Sequence, residues 1–386
     1  MKELKKQMNP VLKTIYTPII VFDGKVQIGK EDGNLELEDL DGSVRDLLNL
    51  MDGTRNTVEL ANEMNIDHAD LLEILNDLDE YGLVEDASAV KYTSLNENER
   101  ERYRSNLNYF SNFSTLKKSR FTYQETFKHT TVALLGLGGF SLTAAALAGM
   151  GTGRIIGLDY DSVELSNLNR QFLYCEDDIG KLKTEASSDR LKKINSEIDI
   201  EVHNVKIEDA KSLLPVIRES DIVINGIDQP SILSTRWVNF ACVKLGKPYI
   251  LGGIGHTSII LQKYVPGEEN GCFDCYLLNS LREAPEFIHQ LKAVYGASFQ
   301  KRNTAFAPNI AMITGLVTNE LAKQIAGYDR ADNQSSSLEI SSLSFERLSE
   351  TQWKKASGCP TCNGDMNSDE PADLNMILEL SKESRV

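Results

Sequence analysis

The sequence predicts an α/β chain in which a doubly wound domain follows a smaller N-terminal module. Three observations predict this. From Thr130 onward, short apolar runs alternate with helical stretches. The first run, "TVALLGLGG", passes through glycines straight into an apolar helix. Ahead of it, residues 1 to about 90 mix strand-like runs with three short helical segments. A chain of 386 residues has room for about two or three domains.

In the N-terminal module, "TIYTPIIVF", "KVQIG" and "LELEDL" read as strands separated by "DG", "GK" and "EDGN" turns. Ser43 is the expected N-cap of "VRDLLNLM", and "TVELANEM" starts a second helix at Thr57. In "DHADLLEILNDLDEY", Asp67 is the expected cap and Leu71, Leu75 and Leu78 share a face. Gly82 stops this helix before "LV" returns as a strand. Strands plus three short helices suggest a winged-helix-like module. From Asp41 to Val90, thirteen carboxylates stand against two arginines, so nucleic-acid phosphate would be repelled. An extended peptide added to a strand edge suits this module better, with a purely structural cap or dimerisation domain as the alternative.

Residues 91–128 read as a linker with amphipathic helical pieces. Residues 129–365 carry the strands "TVALLGLG", "GRIIGLDY", "DIEVHNV", "DIVINGID", "PYILGGI" and "SIILQKYV". Residues 366–386 are expected as a mobile tail with one helix. The chain carries a formal net charge of -16, so any anion site must be local and a general nucleic-acid partner is excluded. The N-terminus shows no secretory signal, and a cytoplasmic location is expected. Between His129 and Arg154 no residue is charged, but glycines break the run; it reads as a buried strand and helix rather than a membrane span.

Gly136 and Gly138 fit the first two positions of a dinucleotide fingerprint, with Ser141 at the third. Asp159, 21 residues after Gly138, stands where a carboxylate meets a ribose hydroxyl. A nicotinamide dehydrogenase fits these residues equally well. A second glycine motif, "GKVQIGKE" from Gly24, has P-loop spacing, but Glu31 replaces the hydroxyl residue and the run lies in an expected hairpin. The polar set Asn167, Arg170, Gln171, Lys183 and Asp228 points away from a dehydrogenase and towards a nucleoside triphosphate. Arginine and lysine neutralise phosphoryl oxygens, and a carboxylate at a strand's C-terminal end can hold magnesium. The pairs Cys272-x-x-Cys275 and Cys359-x-x-Cys362 suggest zinc rather than disulfides.

Gly136-x-Gly138-Gly139, "LDYD", "SNLNRQ", "DIGKLK" and "NGID" together resemble the ubiquitin-activating superfamily, with its bacterial ThiF, MoeB and MccB groups. The resemblance covers roughly residues 100–365. It implies a Rossmann-like, ThiF-type adenylation domain. It also implies nucleotide binding by Gly136, Gly138 and Gly139, and ribose contact by Asp159. Asn167, Arg170 and Gln171 would line the triphosphate, Lys183 would contact the α-phosphate, and Asp228 would bind magnesium. The two cysteine pairs match the superfamily's structural zinc site. An arginine of the family's upstream motif reaches across a homodimer; in "ERYRSN" the candidates are Arg102 and Arg104, at altered spacing. Between Cys275 and Cys359 no cysteine is available as an acyl acceptor, and Cys175 and Cys242 remain.

Among the groups, the layout and the runs "TAFAP" and "YVPGEENGCFDC" resemble the microcin-C-type peptide nucleotidyltransferases of the MccB group. That resemblance implies nucleotidylation of the C-terminus of a short precursor peptide, with pyrophosphate release. ATP or another NTP such as CTP would be the substrate, and the final link a phosphoramidate. The alternatives are a leader-peptide-binding partner of a thiazole/oxazole-forming cyclodehydratase, or an adenylyltransferase of a sulfur-carrier protein.

Overall fold

The computed structural model describes residues 8–16, 19–30, 33–295, 304–328, 333–364 and 368–383. The chain forms two compact units, residues 1–126 and 127–386.

In the first unit, β2 (Ile19–Phe22), β3 (Lys25–Lys30) and β4 (Gly33–Glu38) form an antiparallel sheet with β3 in the middle. β1 (Pro10–Leu12) pairs with β5 (Val84–Asp86). Three helices lie between β4 and β5: α1 (Ser43–Leu50), α2 (Thr57–Met64) and α3 (His68–Glu80). Leu71, Leu75 and Leu78 of α3 are buried together with Val26, Ile28, Leu60 and Leu83. Asp67 caps α3 through Ala69 N–H, and Asn56 with Glu59 forms a capping box on α2. Ser43 is not the cap of α1. Gly42 takes that place with φ 81°, and the Asp39 carboxylate accepts the N–H groups of Val44 and Arg45. Only glycine accepts that backbone freely, so the cap moves one residue. The P-loop-like run lies in the β2–β3 hairpin and strand β3 from Gly24 to Lys30, and its Glu31 lies outside the described residues. Residues 94–126 belong to this unit, with α4 (Glu97–Arg102), α5 (Arg104–Ser111) and the first turns of α6 (Arg120–Lys128).

In the second unit eight strands form one sheet. They are β6 (Thr131–Leu135), β7 (Arg154–Asp159), β8 (Asp199–Asn204), β9 (Ile222–Asn225), β10 (Tyr249–Ile254), β11 (Ser258–Tyr264), β12 (Ser336–Ser341) and β13 (Arg347–Gln352). Their order is β13-β12-β11-β10-β9-β6-β7-β8. β8, β7, β6, β9 and β10 run parallel, and β11 to β13 are antiparallel additions. The chain runs outward from β6 to β8, then returns to start β9 on the other side of β6. That reversal opens a crevice at the C-terminal ends of β6 and β9, where open α/β sheets bind ligands.

Helices α7 (Ser141–Met150), α8 (Lys183–Ile194), α9 (Leu214–Glu219) and α10 (Ser231–Leu245) connect the parallel strands. α13 (Ala307–Ala326) packs on α7, β10 and β11. Its approach requires Gly252, where a Cβ would stand 2.7 Å from Ile313 Cγ1. α11 (Phe273–Glu283) and α12 (Phe287–Tyr295) lie between β11 and α13 in sequence. The uncharged run becomes β6 and α7, closed by Gly151 at φ 83°. Among the described residues, no helix is long and apolar enough to cross a membrane. The C-terminal segment corrects the expectation of a mobile tail. α14 (Leu374–Glu383) packs on α11 and buries Leu374, Ile377 and Leu378 in the main core, so apolar burial fixes it.

Candidate functional site

β6 delivers the chain into the glycine turn at the crevice. Gly136 has φ 95°, and its N–H donates to the Leu158 carbonyl at 2.8 Å. A Cβ at Gly136 would stand 3.0 Å from the carbonyl oxygen of Gly226, just past β9. The two strand ends therefore meet glycine against glycine. Leu137 N–H donates to Asp159 Oδ2 at 2.7 Å, and the Leu137 carbonyl accepts the Tyr174 hydroxyl at 2.8 Å. Tyr174 also shares a 2.9 Å hydrogen bond with Ser187. Burial pushes the Tyr174 phenol well above its ordinary pKa, so it stays a neutral strut.

The loop is faced by an amide and an ammonium. A Cβ at Gly138 would lie 3.1 Å from Gln171 Nε2 and 3.4 Å from Lys183 Nζ. Gln171 and Lys183 are both buried. Gln171 Oε1, Ser141 Oγ and Asn225 Nδ2 are buried without a hydrogen-bond partner within the protein. Orphaned buried polar atoms are costly, and three around one glycine turn fit a polar ligand. α7 begins at Ser141, so its unpaired N–H groups and positive dipole end add to the anion-binding character.

Lys183 Nζ is 2.8 Å from Asp161 Oδ2, and Asp161 is a site residue that sequence reasoning passed over. It sits in the same "LDYD" run as Asp159, but its direction depends on the turn after β7, which no periodicity announces. Arg170 is half-buried, and its guanidinium donates to the Ser166 carbonyl at 2.8 Å and Asn169 Oδ1 at 2.9 Å. Both acceptors are neutral, and among the described residues no carboxylate pairs with Arg170. Asn167 is buried, and its Oδ1 accepts the Glu164 N–H at 3.1 Å, capping the single turn Leu165–Asn167.

Asp159 closes β7 and is buried. Its Oδ1 accepts Tyr160 and Asp161 N–H at 2.8 and 2.9 Å, and Oδ2 accepts Leu137 N–H. Backbone donors thus already engage both oxygens, and the carboxylate ties the end of β7 to the glycine loop. Asp228 follows β9. Its residue surface is exposed, yet the protein packed around the carboxylate raises its pKa. Asp161 and Asp159 raise it further, while Lys183 opposes them. Three carboxylates beside one ammonium make a place that favours a cation as well as an anion.

The four cysteines form a separate cluster. Cys272 and Cys275 open α11, and Cys359 and Cys362 follow β13. Sulfur–sulfur distances are 3.9 Å (Cys272–Cys275), 3.8 Å (Cys272–Cys359) and 3.6 Å (Cys275–Cys362). A tetrahedral zinc–thiolate shell with bonds of about 2.3 Å has edges of about 3.8 Å, so the cluster fits such an ion. Asp274 and Thr361, one inside each pair, are joined at 2.6 Å. Asp274 also grips the buried Arg236 through two bonds of 2.8 and 3.1 Å. Among the remaining cysteines, Cys242 is fully buried and its thiol pKa is pushed up, which makes it inert. Cys175 is exposed and sits 3.1 Å from Arg190 Nη2 and 3.2 Å from Asp178 Oδ2. Arg102 and Arg104 belong to the first unit, where Arg104 pairs with Glu101 at 3.1 Å.

The model of the ThiF family matches residues 103–361. Sulfur carrier protein ThiS adenylyltransferase of Escherichia coli (strain K12) is 28% identical over 245 residues, 62% of this chain and 89% of that protein. Adenylyltransferase and sulfurtransferase MOCS3 of Culex quinquefasciatus is 33% identical over 193 residues, 48% of this chain and 40% of that protein. The chain thus spans less than half the length of that relative. Among solved structures, E. coli MccB with MccA-N7isoASN is similar at a TM-score of 0.72 and 25% identity, over 92% of this chain and 100% of that one. E. coli MccB with ATP is similar at a TM-score of 0.71 and 25% identity, over 92% and 99%. The family match takes in every residue of the polar cluster from Gly136 to Asp228 and well over half of the sequence, and this chain belongs to the ThiF family.

Proposed function

We propose that this chain is an ATP- or NTP-dependent nucleotidyltransferase that acts on the C-terminus of a short precursor peptide, in the manner of MccB. The observation that carries the reading is the convergence of the glycine loop, Gln171, Lys183 and Asp228 at the sheet's switch point. The similarity to MccB supports the peptide substrate, because it extends over 92% of this chain and so takes in most of the first unit as well as the second.

The chemistry follows from these side chains. A carboxylate oxygen at the peptide C-terminus attacks the α-phosphorus of the NTP. The bond from that phosphorus to the bridging oxygen breaks, and pyrophosphate leaves with the electron pair. Lys183 and Arg170 offset the charge that builds on the phosphoryl oxygens, where fixed donors contribute most. Gln171 and the N-terminus of α7 orient the phosphates, with Asn167 holding the turn that carries Arg170. Asp159 positions the glycine loop and keeps lone-pair capacity for a ribose hydroxyl. Asp228 would hold Mg2+, which when bound supplies charge neutralisation to the phosphates. Cys272, Cys275, Cys359 and Cys362 would hold a structural zinc, remote in role from the chemistry. A homodimer partner would supply Arg102 or Arg104 to the phosphates.

The first unit would hold the peptide. All four residues of edge strand β2, Ile19, Ile20, Val21 and Phe22, are 39–50% exposed. An apolar, unpaired edge is an invitation to strand addition. A second reading, adenylation of a sulfur-carrier protein, is favoured by the match over 89% of the ThiS adenylyltransferase.

The test is mass spectrometry after incubation with each NTP and either a short peptide or a sulfur-carrier protein. A nucleotidyl mass retained on the peptide is expected. Activation of the carrier protein alone supports the second reading.

A further inference from the structure

We propose that Asp161 is a positioning residue for Lys183, holding its ammonium beside the glycine loop and making NTP binding depend on a divalent cation. The inference rests on the nucleotide-site reading above. Lys183 is 6% exposed at the side chain, and a buried ammonium needs a counter-charge. Among the described residues its ion-pair partner is Asp161, at 2.8 Å, and Asp161 is 48% exposed. The backbone fixes the two together. Lys183 N–H donates to the Asp161 carbonyl at 2.9 Å, and Val163 and Gly180 N–H groups close the same antiparallel bracket at 2.9 Å each. That bracket holds the backbone, while the four-carbon stem of Lys183 can swing. Its Nζ already stands 3.4 Å from the Cβ position of Gly138, where phosphate oxygens would arrive.

An incoming phosphate therefore competes with Asp161 for one ammonium. Once Lys183 turns to the phosphate, the Asp161 carboxylate loses its partner, and Asp159 and Asp228 add negative charge nearby. A divalent cation bound with the NTP answers that surplus negative charge. Removing the charge of Asp161 removes both the competition and the repulsion. Metal-free NTP then gains most, because it has no cation to shield it.

The test measures ATP affinity by calorimetry on the full chain, with Mg2+ and with EDTA. The native chain should bind ATP much more tightly with Mg2+. Asp161→Asn should bind metal-free ATP about tenfold more tightly and shrink the Mg2+-to-EDTA affinity ratio accordingly. Asp161→Glu should restore the native ratio, and Asp161→Ser supplies a second neutral variant if the amide does not fold. A merely structural Asp161 would weaken both affinities equally on substitution, and that result, or an unchanged ratio, overturns the inference. A native chain that binds ATP in neither condition removes the nucleotide-site reading and the inference with it. A native chain that binds ATP while Asp161→Asn keeps its ratio removes the inference alone.

Discussion

Lys183 and Arg170 differ in how their charge is kept. Lys183 is buried and paired with Asp161; Arg170 is half-buried with only neutral acceptors. Either loss should cripple a step that builds phosphoryl charge. Arg170→Ala and Lys183→Ala should each lower peptide-dependent pyrophosphate release by about 100-fold or more, with the fold retained by circular dichroism. Asp228 carries a pH signature. Its pKa is raised above the ordinary 3.8 by the protein packed around it, then by Asp161 and Asp159. A carboxyl whose folded pKa exceeds its unfolded value costs stability once ionised, and that cost fades as pH falls through the folded pKa. Asp228→Asn should therefore raise Tm by roughly 1 °C at pH 7 and leave it near native at acid pH. The same variant should lose Mg2+-dependent turnover. At this scale the sequence is informative about residue type: Gly138, Gln171, Lys183 and Asp228 are recognisable as phosphate and cation chemistry at fixed spacings. It is less informative about direction. Asp159 reads as a ribose ligand, while its carboxylate is also bound by three backbone N–H groups.

The strand and helix ends are set by close approach. At Gly226 a Cβ would stand 2.3 Å from Phe140 Cδ2 and 2.9 Å from the Leu135 carbonyl oxygen. Gly226→Ala should cost about 1–3 kcal/mol of stability, measured by urea unfolding, because the β6 and β9 ends cannot spread. Of the six strands from β6 to β11, β6, β7, β9 and β10 are legible as apolar runs because parallel strands covered on both faces are continuously hydrophobic, while β8 and the antiparallel β11 show as shorter apolar or alternating stretches. β12 and β13 are not legible, because "SSLEIS" is half-buried except for the buried Ser341 and "RLSETQ" is wholly exposed. The edge strand β13 and its neighbour β12 are held by backbone pairing, here with a bulge at Glu339/Ile340, and leave little trace in hydropathy. α14 misleads for a different reason: its anchor residues are few, and their partners on α11 lie about a hundred positions earlier.

For the molecule as a whole, the four-cysteine cluster closes a loop between α11 and the segment after β13, and Arg236 donates to the Ala372 carbonyl ahead of α14. Purified protein should contain about one zinc per chain, and chelation should lower Tm by several degrees. Atomic absorption and a thermal melt check both, and a metal-free chain of native stability would end the assignment. The two CxxC pairs were legible because their spacing is a ligand pattern; the Asp274–Thr361 link between them was not, because it depends on the fold bringing the pairs together. In the first unit, Ile20→Asp with Phe22→Asp should raise peptide KM about tenfold or more while leaving NTP binding near native, if β2 receives the peptide. The central claim, transfer of a nucleotidyl group to a peptide C-terminus, is tested most directly by mass spectrometry of the short peptides encoded beside the gene after incubation with each NTP. The account predicts a peptide carrying one nucleotidyl mass at its C-terminus, absent with Arg170→Ala. Unmodified peptide with every NTP, with no pyrophosphate released, would contradict it.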